Sequence, residues 1–185
     1  AVNATVVGAN VTITPSLTGG QPVKYDWEGK PVYIVEHEVR EAQALIDSLN
    51  PDQRAKVVIS TSAIDLILGP GHDGQTLQPE GLQASAMTPG QKAQLLSLIE
   101  SRVGVLNADD AGAAIAKIRA NIDRTWFAWF GPTAEAGGAY FRVTGPTIVM
   151  EFSPQDVRTG GVSNHLHNMY RDPTNDYGAA WAALR

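Results

Sequence analysis

Ser163-Asn164-His165-Leu166-His167-Asn168-Met169-Tyr170-Arg171-Asp172-Pro173-Thr174-Asn175-Asp176-Tyr177-Gly178 is the stretch around which the rest of the chain falls into place. With residues 164–170 extended, the side-chain period of two puts His165 and His167 on one face and Leu166 on the other. Two imidazoles on one face are half of a metal site; the alternative is a pair of hydrogen-bonded surface or core histidines without a metal. The turn that follows is polar. Asp172 precedes Pro173 and is biased towards extended backbone, and Asn175 and Asp176 are turn formers and helix caps. Arg171, Asp172 and Asp176 are therefore either ligand contacts or a self-contained turn, in which Arg171 pairs with Asp172 and Asp176 caps a short helix from Tyr177 to Leu184.

Upstream of this stretch the chain is strand-like from Asp123 onward. Segments 125–130, 139–144 and 147–152 are rich in aromatic and β-branched residues, and turns containing Gly137-Gly138 and Gly145-Pro146 join them. With the histidine strand they make a four-stranded antiparallel meander. On the third strand Thr147, Val149 and Glu151 alternate with Ile148, Met150 and Phe152, so Glu151 is a carboxylate in a strand otherwise fit for burial. The meander brings Glu151 towards His165 and His167, and two histidines with one carboxylate hold Zn²⁺, Fe²⁺ or Cu²⁺ with positions open for water or substrate. Alternatively Glu151 only pairs with Arg142. Trp129, Tyr140 and Arg142 join the list of candidate ligand contacts, although aromatics at the density of Trp126, Phe127, Trp129 and Phe130 are usually core.

The preceding part of the chain is helical in pattern. Val35, Val39, Ala42, Leu45, Ile46 and Leu49 recur at spacings of three and four, with Glu36, His37, Glu38, Arg40 and Glu41 mainly on the other faces. Asn50-Pro51-Asp52-Gln53 and Thr88-Pro89-Gly90-Gln91 each read as cap, N1 proline and capping-box glutamine, the first helix reaching about Ile59. Asn107 starts a fourth helix with acids in its first turn. At the N-terminus, residues 2–7 and 11–16 flank Gly8-Ala9-Asn10 as a β-hairpin, and residues 17–31 read as a loop or lid carrying Tyr25 and Trp27. A hairpin, then four helices, then four strands specifies an α+β fold: an antiparallel sheet, N-terminal hairpin plus C-terminal meander, with helices packed on one face. The chain is one domain over 1–185.

Composition removes several classes. The 185 residues suffice for one core. A net charge of −5, with only 14 scattered basic residues, argues against a nucleic-acid partner. There is no cysteine, which excludes disulfides, thiolate metal sites and a cysteine nucleophile. No apolar run approaches the roughly 18 residues of a membrane span. Gly69-Pro70-Gly71-His72-Asp73-Gly74 lacks the lysine of a P-loop, so no nucleotide cofactor is indicated, and Gly-X-Ser-X-Gly and His-Glu-X-X-His are absent.

Asn164 to Gly178 resembles the C-terminal signature of the bacterial domain-of-unknown-function family numbered 3500 (DUF3500), which reads roughly Asn-His-Ile-His, an aromatic, Arg-Asp, and Asp-Phe/Tyr-Gly. Trp126 to Gly131, Tyr140 to Val143 and Gly145-Pro146 are similar to that family's aromatic strand, tyrosine-arginine strand and Gly-Pro turn. The resemblance implies that this chain is the C-terminal half of a longer precursor, lacking a Gly-His-His segment ahead of Ala1. It also implies a secreted or cell-surface protein whose partners are the missing N-terminal half or identical subunits. The leading expectation is a secreted metal-binding protein or metalloenzyme using the His-X-His site; the other is a non-catalytic binding or extracellular assembly module.

Overall fold

The computed structural model describes residues 1–155 and 163–182. Strands β1 (Thr5–Val7) and β2 (Asn10–Thr12) form a hairpin, followed by β3 (Ser16–Gly20), β4 (Lys24–Trp27) and β5 (Lys30–Tyr33). Helices α1 (Glu36–Ser48) and α2 (Pro51–Val57) lead into β6 (Val58–Ser60). A long connection reaches β7 (Leu82–Gln83), then α3 (Pro89–Val103) and α4 (Ala108–Arg119). The C-terminal part holds β8 (Trp126–Phe130), β9 (Tyr140–Gly145), β10 (Ile148–Pro154), β11 (Leu166–Arg171) and α5 (Ala179–Ala182).

The main sheet runs β3-β11-β10-β9-β8-β6, with β7 also on β8. Every pair in it is antiparallel except β6 with β8. The α+β architecture is thus the expected one, and the capping boxes at Asn50/Gln53 and Thr88/Gln91 are both formed. Three local placements differ. The β1–β2 hairpin stays a separate two-stranded sheet, and it is β3 that extends the main sheet by pairing with β11. Residues 17–31 are therefore not a loop. They contribute β3 and, through the Glu28-Gly29 turn with both φ angles positive, the β4–β5 hairpin. Helix α2 ends at Val57, because Val58, Ile59 and Ser60 leave it to run parallel to β8. At the C-terminus α5 is described from Ala179 as far as Ala182, and residues 183–184 of the expected helix lie outside the described residues.

Both faces of the meander are covered, so its strands are buried along nearly their whole length. On one face Val39, Ala42, Leu45 and Ile46 of α1 and Leu95, Leu98 and Ile99 of α3 form a single core with Phe127, Trp129, Phe141, Met150 and Phe152. Phe141 stacks on Phe152 at 4.5 Å and on Trp129 at 5.6 Å between ring centres. On the other face Ala63, Ile64 and Ile67, from the connection between β6 and β7, pack on Ala128, Phe130 and Tyr140. That connection returns to the sheet at Gly81, where φ is +90° and a Cβ would lie 2.1 Å from the Phe127 carbonyl oxygen, so only glycine fits.

Candidate functional site

Register puts Tyr140 and Arg142 of β9, Glu151 of β10 and His167 and Arg171 of β11 on the face under the connection. Glu151 is fully buried, and its carboxylate accepts hydrogen bonds from the Ile67 N–H (2.7 Å), the Leu68 N–H (2.9 Å) and the Tyr140 hydroxyl (2.7 Å). Burial, and then the Glu151 charge, push the Tyr140 phenol well above its usual range. Arg142 does not pair with Glu151. Its guanidinium donates to Glu80, from the same connection, and lies 5.8 Å from the Phe130 ring centre.

Arg171, also buried, likewise does not pair with Asp172. It donates to the Leu68 carbonyl (3.1 Å), Asp176 (3.0 Å) and Asp73 (3.2 Å), while Asp172 pairs with Lys117 of α4 at 2.8 Å. Asp176 also accepts from the Asp172 N–H, locking the turn. Trp129 faces the helix side, fully buried, with its indole N–H on the Pro132 carbonyl. These residues fasten the connection and the C-terminal turn to the sheet. Their polar groups bond to the chain itself, except that Arg142 Nε is buried without a hydrogen-bond partner.

His165 and His167 are brought together as the strand period requires: their ring centres are 4.9 Å apart and their planes cross at 87°. Gly19 of β3 sits opposite His167, where a Cβ would lie 2.3 Å from the Leu166 carbonyl oxygen and 3.1 Å from the imidazole, so the close approach of the β3 and β11 backbones requires glycine there. Burial, and then His165, hold His167 below the ordinary histidine range, against a smaller opposite pull from Asp65. Glu151 is not brought to the pair: it lies opposite Met169, whereas Ser153 lies opposite His167. Among the described residues no three histidines, aspartates or glutamates converge as a metal-binding group.

The helix-facing side of the same strand holds a polar cluster that periodicity does not single out. Asn168 of β11 donates through Nδ2 to Glu38 in the first turn of α1, and Arg102 stands near the end of α3. The three are 2%, 6% and 7% exposed, respectively. Asn168 Oδ1, Glu38 Oε1 and Arg102 Nε are buried without a hydrogen-bond partner. Among the described residues Arg102 makes no ion pair with Glu38 within 4.0 Å. Burial raises the Glu38 carboxyl to about 7, against smaller opposite pulls from Arg102 and the Asn168 bond. Burial also lowers Arg102, with Glu38 and Tyr170 opposing.

The cluster lines a cavity of about 240 Å³ together with Thr18, His37 and Ser101. By contrast, none of the unpartnered buried atoms lines the concavity of about 270 Å³ between β2, α4 and the C-terminal turn. Glu38 therefore does not belong to the solvated face of α1, where its charged neighbours in sequence suggest it. Its position three residues after Val35 and four before Ala42 puts it instead at the border of the apolar stripe, and Arg102 falls three after Ile99 on the stripe of α3.

The family model described as "Protein of unknown function (DUF3500)" matches residues 1–179. The match takes in nearly the whole chain, β1 to the start of α5, and so corrects the expectation of a likeness limited to that family's C-terminal half. Neither a curated protein nor a solved structure matches the chain. Among the described residues no helix is long and apolar enough to cross a membrane.

Proposed function

This chain belongs to the DUF3500 family, and we propose that it binds a small polar molecule in the cavity between α1, α3 and β11. One observation carries this reading: three buried side chains from three separate elements, each with an unpartnered polar atom, line one cavity. A buried polar group without a partner costs about 1–3 kcal/mol. A fold that needed only packing here would be better served by apolar side chains. Binding is the role that returns this cost, since the ligand supplies the missing partners.

The test is a panel of small polar compounds followed by NMR on the full chain. The Asn168 side-chain amide and the backbone amides of Glu38 and Arg102 are expected to shift with a compound that binds, and Arg102→Met is expected to weaken binding, so that the shifts need higher compound concentrations. The reading falls if no compound moves these resonances, or if the shifts persist unchanged in Arg102→Met.

A second reading, metal binding, is favoured by the spacing of His165 and His167. With metal–nitrogen distances of about 2.1 Å, each ring centre lies about 3.2 Å from a shared ion, and the two centres lie about 4.5–5.2 Å apart. The observed 4.9 Å falls within this range. Water would complete the coordination of Zn²⁺ or Cu²⁺. Calorimetric titration of Zn²⁺ into the full chain is expected to show a single saturable site that is lost in the His165→Ala, His167→Ala double variant. Equal binding by both proteins would exclude the pair as the ligands.

A further inference from the structure

We infer that the ligand of the Glu38 cavity is a small zwitterion, a free α-amino acid, with its ammonium group against Glu38 and Asn168 and its carboxylate against Arg102. The inference rests on the binding reading above and adds the ligand's charge pattern. One cavity holds a buried carboxylate and a buried guanidinium that do not pair with each other. Each charge is costly without a counter-charge. A simple cation would compensate Glu38 and leave Arg102; a simple anion would do the reverse. A molecule with both charges a few ångströms apart serves both.

The hydrogen-bonding atoms divide in the same way. Glu38 Oε1 and Asn168 Oδ1 are acceptors, and Arg102 Nε–H is a donor. A primary ammonium has three N–H donors and no acceptor, which suits the first two, and a carboxylate accepts from a guanidinium edge through both oxygens. A quaternary amine has no N–H to offer. A neutral carboxamide matches the donors and acceptors but leaves both charges uncompensated.

Size narrows the class further. The cavity's 240 Å³ is below the usual range of about 300–1,000 Å³ for drug-sized ligands. It suits an amino acid with a short side chain, which would meet the apolar walls of Val35 and Val105 and the hydroxyls of Thr18 and Ser101.

The experiment compares five probes on the unmodified full chain, by calorimetry and by the Asn168 side-chain amide resonance: glycine, L-alanine, propionate, ethylamine and propionamide. Glycine or L-alanine is expected to bind; propionate and ethylamine, each lacking one charge-assisted contact, are expected to bind roughly tenfold to hundredfold more weakly, and propionamide, lacking both, at least as weakly. Glu38→Gln keeps the shape of the carboxyl group, and Arg102→Met keeps most of the stem packing. Each is expected to reduce the preference for the zwitterion, with circular dichroism confirming that the variant is folded. Propionamide binding at this site as tightly as L-alanine would overturn the zwitterion assignment and leave the binding reading standing. No binding by any of the five also overturns the assignment, and the wider compound panel then decides the binding reading separately.

Discussion

Glu151→Ala is expected to destabilise the fold by about 3–5 kcal/mol, since it strands two buried donors and one part-buried donor, an unpaired buried one costing about 1–3 kcal/mol. Those donors are the Ile67 and Leu68 N–H groups and the Tyr140 hydroxyl, and no other acceptor serves them among the described residues. The loss propagates: the Leu68 and Gly69 carbonyls accept from Arg171, so a connection released at Glu151 also loosens the C-terminal turn. Urea unfolding gives the magnitude. Hydrogen exchange at the Ile67 and Leu68 amides locates it, with protection falling there before it falls in the meander. Glu151→Gln, which keeps the shape but turns an NH₂ towards a donor, is expected to lose less. A change below about 1 kcal/mol in Glu151→Ala would show that the carboxylate does not hold the connection.

Stability is expected to fall as pH rises from about 4.5 to about 7 because of Glu38. Its folded-state carboxyl is raised from 4.5 to about 7, so the folded protein holds a proton there that the unfolded chain has already lost. The contribution is fully present below the unfolded value and disappears as pH passes the folded one. Each tenfold gain in proton affinity is worth about 1.4 kcal/mol, so the whole effect is on the order of 3 kcal/mol. The charged and titratable groups around it are Arg102 on α3, Tyr33 ahead of α1 and His37 on α1, and all three are unchanged in Glu38→Gln. The difference between the two stability curves therefore isolates Glu38. Glu38→Gln is expected to flatten the slope; parallel curves would contradict the assignment.

What can be read from the sequence divides by range. Asn50 with Gln53 and Thr88 with Gln91 act over three residues, and both capping boxes are visible as local patterns. The meander shows in the same way, through β-branched and aromatic runs separated by glycine turns. Strand β3 escapes such a reading because Ser16-Leu17-Thr18-Gly19-Gly20 has a loop's composition; pairing with β11, far along the chain, makes it a strand. Glu151 stands out as a lone carboxylate in an apolar strand, but its partners include backbone N–H groups, which leave no side-chain signature.

Similarly, the adjacency of Arg171 and Asp172 suggests that they pair with each other. The competing partners, Asp73 and Lys117, arrive from a glycine-rich connection and from a helix. Glu38 is the hardest to see. Its hydrogen-bond partner Asn168 is 130 residues away, and a glutamate in the first turn of a helix is ordinarily well explained by the helix dipole and solvent.

Glu38 is a buried carboxyl group that makes no ion pair within 4.0 Å among the described residues, and the proposed binding site is built around it. Carbon-13 NMR of the side-chain carboxyl, titrated against pH in the ligand-free full chain and assigned by its loss in Glu38→Gln, tests this most directly. A midpoint near 7 is expected. A midpoint at the ordinary 4.5 would show a solvated or already compensated carboxylate, and the binding site proposed around it would be contradicted.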